Sequence, residues 1–129
     1  MNPHPIIEQR KPFDCGVAAM GCWLRVPYED VYAVAVSSYR RRLQHGLWAY
    51  QMRDIARKLG RPLRTVHYRR VDLDEDAGIL GVNWDSGGSG HWVVLRKGTI
   101  IDPFKAWAWD ADEYLTVNQG RVGSLLTDT

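Results

Sequence analysis

The sequence predicts an α+β fold in which helices at the N-terminal end pack on an antiparallel β-sheet. Up to Gly60 the apolar residues recur at helical spacing, and after it they fall in short runs typical of strands. A Lys97-Gly98 pair separates two of these runs, which is typical of a hairpin between neighbouring antiparallel strands. Because the helices precede the strands instead of alternating with them, the order favours α+β over a doubly wound parallel sheet.

Proline and glycine divide the first half of the chain into three predicted helices. The first begins at Cys15, with the carboxylate of Asp14 capping its free amides, and Pro27 ends it. Pro27 also starts the second helix. The third covers residues 47–59, where the 3.6-residue period is most regular, and Gly60 ends it.

The second half is predicted as short strands joined by turns. These strands lie at residues 64–68, 78–84, 91–96, 99–101, 107–109 and 121–126, and the last of them closes the sheet. Asp110 is expected to cap a brief helix that ends at Tyr114. The sequence has 129 residues and no internal repeat or linker, so we expect a single domain over residues 1–129.

The composition argues against several classes of protein. The 17 basic and 15 acidic residues leave a formal charge of +2, which gives no reason to expect a nucleic-acid or membrane partner. No apolar run is long enough to cross a membrane, and residues 1–8 lack the features of a signal peptide. Cys15 and Cys22 stand too far apart on one helix for a disulfide. We therefore expect a reduced, cytoplasmic monomer.

Cys15 is the candidate nucleophile. It opens a helix, where unpaired backbone amides and the helix dipole stabilise a thiolate. Gly16 keeps the neighbouring backbone accessible to a reacting carbonyl group. Cys22 falls on the apolar side of the same helix, so we expect it to be a buried core residue without a chemical role.

His91 and Asp102 are the candidate base and the residue that orients it. His91 begins an apolar strand after the glycine-rich residues 85–90, and such loops often border a cleft. Asp102 ends the strand on the other side of the Lys97-Gly98 turn, so the hairpin returns both residues to the same edge of the sheet. A carboxylate in that place fixes the imidazole tautomer and stabilises the imidazolium.

Gln9 and three residues around the glycine-rich loop complete the candidate site. Gln9 stands six residues before Cys15, where its side-chain amide can help to stabilise an oxyanion, typically lowering a barrier by about 3 kcal/mol. Trp84, Gly90 and Trp92 border the loop and are expected to line the substrate cleft. Packing in the core explains either tryptophan equally well. The four histidines form no pair with metal-ligand spacing, so no metal and no other cofactor is expected.

Three segments of the chain carry a resemblance to a known family. Residues 9–19 read QRKPFDCGVAA, residues 90–95 read GHWVVL, and residues 100–103 read IIDP. In this order they resemble the nucleophile motif, the Gly-His-Tyr-Val-Val-Leu strand and the Ile-Asp-Pro end of the bacteriocin-processing peptidases, which are papain-like domains that cut leader peptides after Gly-Gly. The resemblance does not extend to the exporters' membrane and ATPase domains, so coupling to transport is not implied.

The resemblance implies a papain-like cysteine peptidase that cleaves a peptide or isopeptide bond in a protein or peptide substrate. Cys15 is then the nucleophile, His91 the base, Asp102 its orienting partner and Gln9 the oxyanion donor. Two other functions stay open: acyl transfer of the transglutaminase or deamidase type, which uses the same triad, and peptide binding without catalysis. The second is disfavoured because all four catalytic positions carry suitable side chains.

Overall fold

The computed structural model describes residues 14–41, 43, 46–84, 90–103 and 107–129. Its helices are α1 (Cys15–Leu24), α2 (Tyr28–Tyr39), α3 (Ala49–Lys58) and α4 (Ala111–Asn118). Its strands are β1 (Leu63–Val66), β2 (Ala77–Trp84), β3 (His91–Arg96), β4 (Thr99–Asp102), β5 (Trp107–Asp110) and β6 (Gly120–Asp128). Helices at the N-terminal end pack on an antiparallel sheet, so the predicted α+β class is confirmed.

The described strands form one sheet in the order β1-β6-β2-β3-β4-β5, with each neighbouring pair antiparallel. The prediction that the last strand closes the sheet is wrong in one respect, because β6 lies inside the sheet between β1 and β2. Leu125 and Leu126 of β6 point to opposite faces and are both buried, which an edge strand with one solvated face would not require.

Each face of the sheet has its own apolar core. One face packs Ile79, Val94 and Leu126 against the three N-terminal helices. Every residue of α1 is buried, so this helix is the centre of that layer. On the other face, Leu80, Val93 and Leu125 pack around Tyr114 of α4. Adjacent residues along a strand point to opposite faces, so the same strands serve both cores.

The start of α1 differs from its prediction in how it is stabilised. The helix begins at Cys15 as expected, but the side chain of Asp14 makes no hydrogen bond to the amides of the first turn. Asp14 is buried, and the hydroxyl of Tyr28 donates to its Oδ2 instead. Helix α2 brings this hydroxyl close, and no local signal around Asp14 indicates it.

Other element boundaries also shift. Helix α3 begins at Ala49 and not at Leu47, since the side chain of Gln51 accepts from the backbone N–H of Trp48 at 2.9 Å and closes the first turn there. The strand predicted at 64–68 ends at Val66, because a short 3-10 turn follows at Tyr68–Arg70.

The cap predicted at Asp110 is confirmed, since its carboxylate accepts from the N–H of Glu113 at 3.1 Å. The helix that it starts runs to Asn118, beyond the predicted end at Tyr114. Cys15 and Cys22 are both buried and form no disulfide. Within the part of the chain that the structure describes, no helix is long and apolar enough to cross a membrane.

Candidate active site

Cys15 is the first residue of α1 and is 8% exposed. The first amides of a helix have no acceptor within it, and the first backbone bond of this helix runs from Ala18 N–H to the Asp14 carbonyl at 3.0 Å. The N–H of Cys15 therefore lies among the free amides at the positive end of the helix dipole. Its side chain lines the cleft described below.

His91 and Asp102 meet at the open end of the β3–β4 hairpin. Nε2 of His91 lies 2.7 Å from Oδ1 of Asp102. Side chains alternate along a strand, so Asp102 shares its face with Ile100, and His91 shares that same face with Val93. The tight Lys97-Gly98 turn sets the strand register, which brings the two side chains to the same edge.

His91 also forms a hydrogen bond with Cys15. Since Asp102 engages Nε2, the nitrogen that faces the sulfur is Nδ1. Burial of the ring disfavours its charged form, but the hydrogen bonds and charges of Asp102 and Cys15 outweigh that effect and raise the pKa of His91 from 6.5 to about 9. An imidazolium in this position stabilises a thiolate on Cys15, which is the reactive form of a cysteine nucleophile.

A fourth side chain, Tyr114, completes this line of hydrogen bonds. Its hydroxyl donates to Oδ2 of Asp102 at 2.7 Å, on the opposite oxygen from His91. Tyr114 lies on α4 and is almost fully buried. The sequence analysis missed it, because an aromatic residue on a predicted helix reads as core packing and nothing in its neighbourhood links it to Asp102.

A cleft of about 470 Å³ lies in front of Cys15 and His91. Its walls come from residues 46–49 at the start of α3, from β2 and β3, and from β6. A second depression of about 580 Å³ shares Asn83, Gly123 and Ser124 with this cleft and extends it to Tyr68 and Arg121. The two depressions meet at these shared residues and form a continuous groove.

A β-bulge forms one side of this cleft. Two residues of β6, Gly123 and Ser124, stand opposite a single residue of β2, Gly81. Strand β6 therefore carries the extra residue that defines a bulge. A Cβ at Gly123 would lie 2.9 Å from the carbonyl oxygen of Gly81, and a Cβ at Gly81 would lie 3.1 Å from the Trp92 ring. Glycine at both positions therefore leaves room for the bulge and for the tryptophan beside it.

Trp92 joins two walls of the cleft. Its indole N–H donates to the carbonyl oxygen of Leu47 at 2.9 Å, and its ring lies against Gly16 and Gly81. The segment before α3 is thereby tied to β3, 45 residues further along the chain. Trp48, in that segment, and Tyr50, just after it, form an exposed aromatic pair with ring centroids 5.8 Å apart. The sequence analysis did not identify residues 46–49 as part of the site.

The candidate residues thus fall into three groups. Cys15, His91 and Asp102 lie together, and Gly90 and Trp92 line the same cleft. Gln9 and the glycine-rich residues 85–89 lie outside the described residues. Trp84 ends β2, and its side chain also falls outside that description. Among the residues that are described, no three His, Cys, Asp or Glu side chains are arranged to hold a metal ion.

Comparison with solved structures supports the fold. A double glycine motif protease from an AMS/PCAT transporter, solved in complex with the leader peptide, superposes with a TM-score of 0.65 at 20% identity. That match covers 99% of this chain and 94% of the other. The peptidase domain of Streptococcus ComA, a bi-functional ABC transporter of a quorum-sensing pathway, superposes with a TM-score of 0.59 at 14% identity.

The ComA match covers 98% of this chain and 99% of that domain. No family model matches the sequence, and the search of curated proteins also found no match. The two structures are peptidase domains of the papain-like fold, and this chain has that fold over nearly its whole length. The resemblance seen in the sequence is therefore confirmed at the level of structure.

Proposed function

We propose that this chain is a cysteine peptidase that cleaves a bond in a protein or peptide substrate. The observation that carries the proposal is the hydrogen-bonded line from Cys15 through His91 to Asp102 at the wall of an open cleft. A cysteine at a helix start, a histidine with a raised pKa and an orienting carboxylate are the parts that nucleophilic acyl chemistry needs.

In the first half of the reaction, the Cys15 thiolate attacks the carbonyl carbon of the scissile bond and a C–S bond forms. The N–H of Cys15, at the free end of α1, donates to the oxyanion that develops. The imidazolium of His91 then gives its proton to the leaving amine as the C–N bond breaks. An acyl-enzyme thioester on Cys15 remains.

In the second half, neutral His91 takes a proton from water, and the hydroxide attacks the thioester carbonyl. The C–S bond breaks, the carboxylic acid product leaves, and the imidazolium–thiolate pair is restored. Asp102 stabilises the imidazolium in both halves and keeps Nδ1 directed at the sulfur. Gln9 is proposed as a second oxyanion donor on the basis of its position in the sequence.

The extent of the groove supports a polymeric substrate over a small molecule. It runs from Cys15 past the bulge to Tyr68 and Arg121, a path that suits an extended peptide segment. Leu47 and Trp92 line the cleft beside Cys15, so their side chains bound the space next to the scissile bond. We propose a peptide with small residues at the cleavage site, as the double glycine motif of the matched protease also suggests.

Two matched peptides test the activity and its specificity. One carries Gly-Gly before the expected cleavage site, and the other carries Val-Val in the same sequence, with new termini measured by mass spectrometry. We expect cleavage of the glycine peptide, little cleavage of the valine peptide, and loss of activity in Cys15→Ala. Cys22→Ala is the control, because Cys22 is 1% exposed and lies in the core. Equal cleavage by Cys15→Ala and the unmodified chain would contradict the proposal.

Acyl transfer to an amine is the second candidate function, since the same thioester reacts with either acceptor. Incubation with a glutamine-containing peptide and a primary amine distinguishes the two. An amine adduct, or a gain of one mass unit at glutamine, supports transglutaminase or deamidase activity. New peptide termini support hydrolysis.

A further inference from the structure

One buried hydroxyl at the candidate site has no role in the proposed reaction. Tyr114 is 1% exposed, and its hydroxyl donates to Oδ2 of Asp102 at 2.7 Å. His91 occupies Oδ1 of the same carboxylate, also at 2.7 Å. The carboxylate is therefore held at both oxygens, by one group from β3 and one from α4.

Packing alone does not account for this hydroxyl. The ring of Tyr114 lies in the apolar core around Leu80 and Val93 and meets the Trp109 ring edge-on at a centroid distance of 6.0 Å. Phenylalanine would supply the same ring and the same contacts. A hydroxyl in an apolar core costs free energy unless it is bonded, and here its acceptor is the carboxylate that orients His91.

We propose that Tyr114 is a positioning residue for the peptidase reaction and acts through Asp102. With one oxygen held by Tyr114, the carboxylate cannot rotate away from Nε2 of His91, so Nδ1 stays directed at Cys15. A hydrogen bond donated to the ionised carboxylate also favours that form over the protonated one. The proposal rests on the proposed function, because a positioning role needs a reaction to serve.

Burial and the bond to Asp102 both raise the pKa of Tyr114 above its ordinary value. The hydroxyl therefore keeps its proton across the range in which a cysteine peptidase works, and it acts as a donor throughout. The consequence reaches Cys15 in two steps. Loss of the Tyr114 hydroxyl makes Asp102 easier to protonate, and a neutral Asp102 no longer stabilises the imidazolium that supports the thiolate.

Tyr114→Phe and a matched control test this role. Tyr39→Phe is the control, because the Tyr39 hydroxyl also donates to an aspartate, Asp54 Oδ2, at 2.7 Å, in a pair between α2 and α3. The first readout is the rate at which iodoacetamide alkylates Cys15 as a function of pH. This rate follows the thiolate fraction and needs no substrate. The second is kcat and KM on the Gly-Gly peptide.

We expect Tyr114→Phe to move the acidic limb of Cys15 alkylation up by about one pH unit. We expect the kcat of Tyr114→Phe to fall roughly 10-fold and its KM to change by less than about twofold. Tyr39→Phe should match the unmodified chain in all of these measurements. In an Asp102→Ala background, Tyr114→Phe should add less than about a twofold further loss, because its route to Cys15 is already gone.

An alkylation profile of Tyr114→Phe that coincides with that of the unmodified chain overturns the proposal. So does a full additional loss in the Asp102→Ala background, which would mean that Tyr114 acts by another route. The alkylation readout also separates this proposal from the proposed function. If the chain cleaves no peptide but Tyr114→Phe shifts the alkylation profile, the link from Tyr114 to Cys15 is upheld and the peptidase assignment fails.

Discussion

The imidazole of His91 and the carboxylate of Asp102 are joined at 2.7 Å, although the residues stand 11 positions apart and belong to different strands. His91 is the first residue of β3 and Asp102 is the last residue of β4. A two-residue turn at Lys97-Gly98 sets the strand register, which leaves both side chains on the face covered by α4. The hairpin itself therefore aligns the base with its partner.

The pH dependence of activity follows from the raised pKa of His91. The imidazolium is needed to protonate the leaving amine, so we expect kcat/KM to fall about tenfold for each pH unit beyond about 9. Stability follows the same group. Because the folded-state pKa lies above 6.5, the stabilisation is fully present below pH 6.5 and is lost as the pH rises through about 9. Urea unfolding at several pH values measures the change in stability. Activity at pH 10.5 equal to that at pH 9 would contradict the predicted fall in kcat/KM.

Asp102→Asn should remove the charge that supports the imidazolium while keeping the shape of the side chain. We expect the pKa of His91 to fall, since burial of the ring then acts with less opposition, and kcat to drop by roughly 10- to 1000-fold. The basic limb of the pH–rate profile should move below pH 9. Asp54→Asn is the control, because Asp54 is a half-buried carboxylate on α3, outside the cleft, that also accepts from a tyrosine. A basic limb that stays in place would count against the role of Asp102.

Trp92→Phe should loosen the wall of the cleft before α3. The substitution removes the 2.9 Å hydrogen bond from the indole to Leu47 and leaves an aromatic ring in its place. We expect KM to rise roughly 3- to 10-fold, the equivalent of one neutral hydrogen bond, with kcat little changed. Trp23→Phe is the control, as its indole donates to Asp128 Oδ1 at 3.1 Å, outside the cleft. Equal effects of both variants on KM would refute a specific role for Trp92.

Gly123→Ala should strain the bulge that borders the cleft. The new Cβ would lie 2.9 Å from the carbonyl oxygen of Gly81, a backbone atom that can move only with its strand. We expect the free energy of unfolding to fall by about 1–3 kcal/mol. We also expect KM for the Gly-Gly peptide to rise, because the shift displaces part of the cleft wall. A variant with the unfolding midpoint and KM of the unmodified chain would show that the bulge tolerates a side chain.

Much of the fold was predictable because its signals are local. The start of α1 at Cys15 and the bounds of β3 coincide with their predictions, and the cap at Asp110 is confirmed. Proline, glycine and the hydrophobic period act over a few residues, so they can be read without the rest of the chain. The position of Asp102 beside His91 was also predictable, since a tight turn determines the register of a hairpin.

Other features depend on contacts between distant parts of the chain, and only the tertiary structure decided them. Tyr28 binds Asp14 across a helix–helix contact, and Trp92 reaches Leu47, 45 residues away. Tyr114 approaches Asp102 from α4, which covers the same face of the sheet. No local pattern records which buried hydroxyl or indole will meet which acceptor, because packing of both layers sets those distances. The sequence by itself determined the candidate chemistry and the strand and helix that carry it. The tertiary structure determined the groups that hold that chemistry in place.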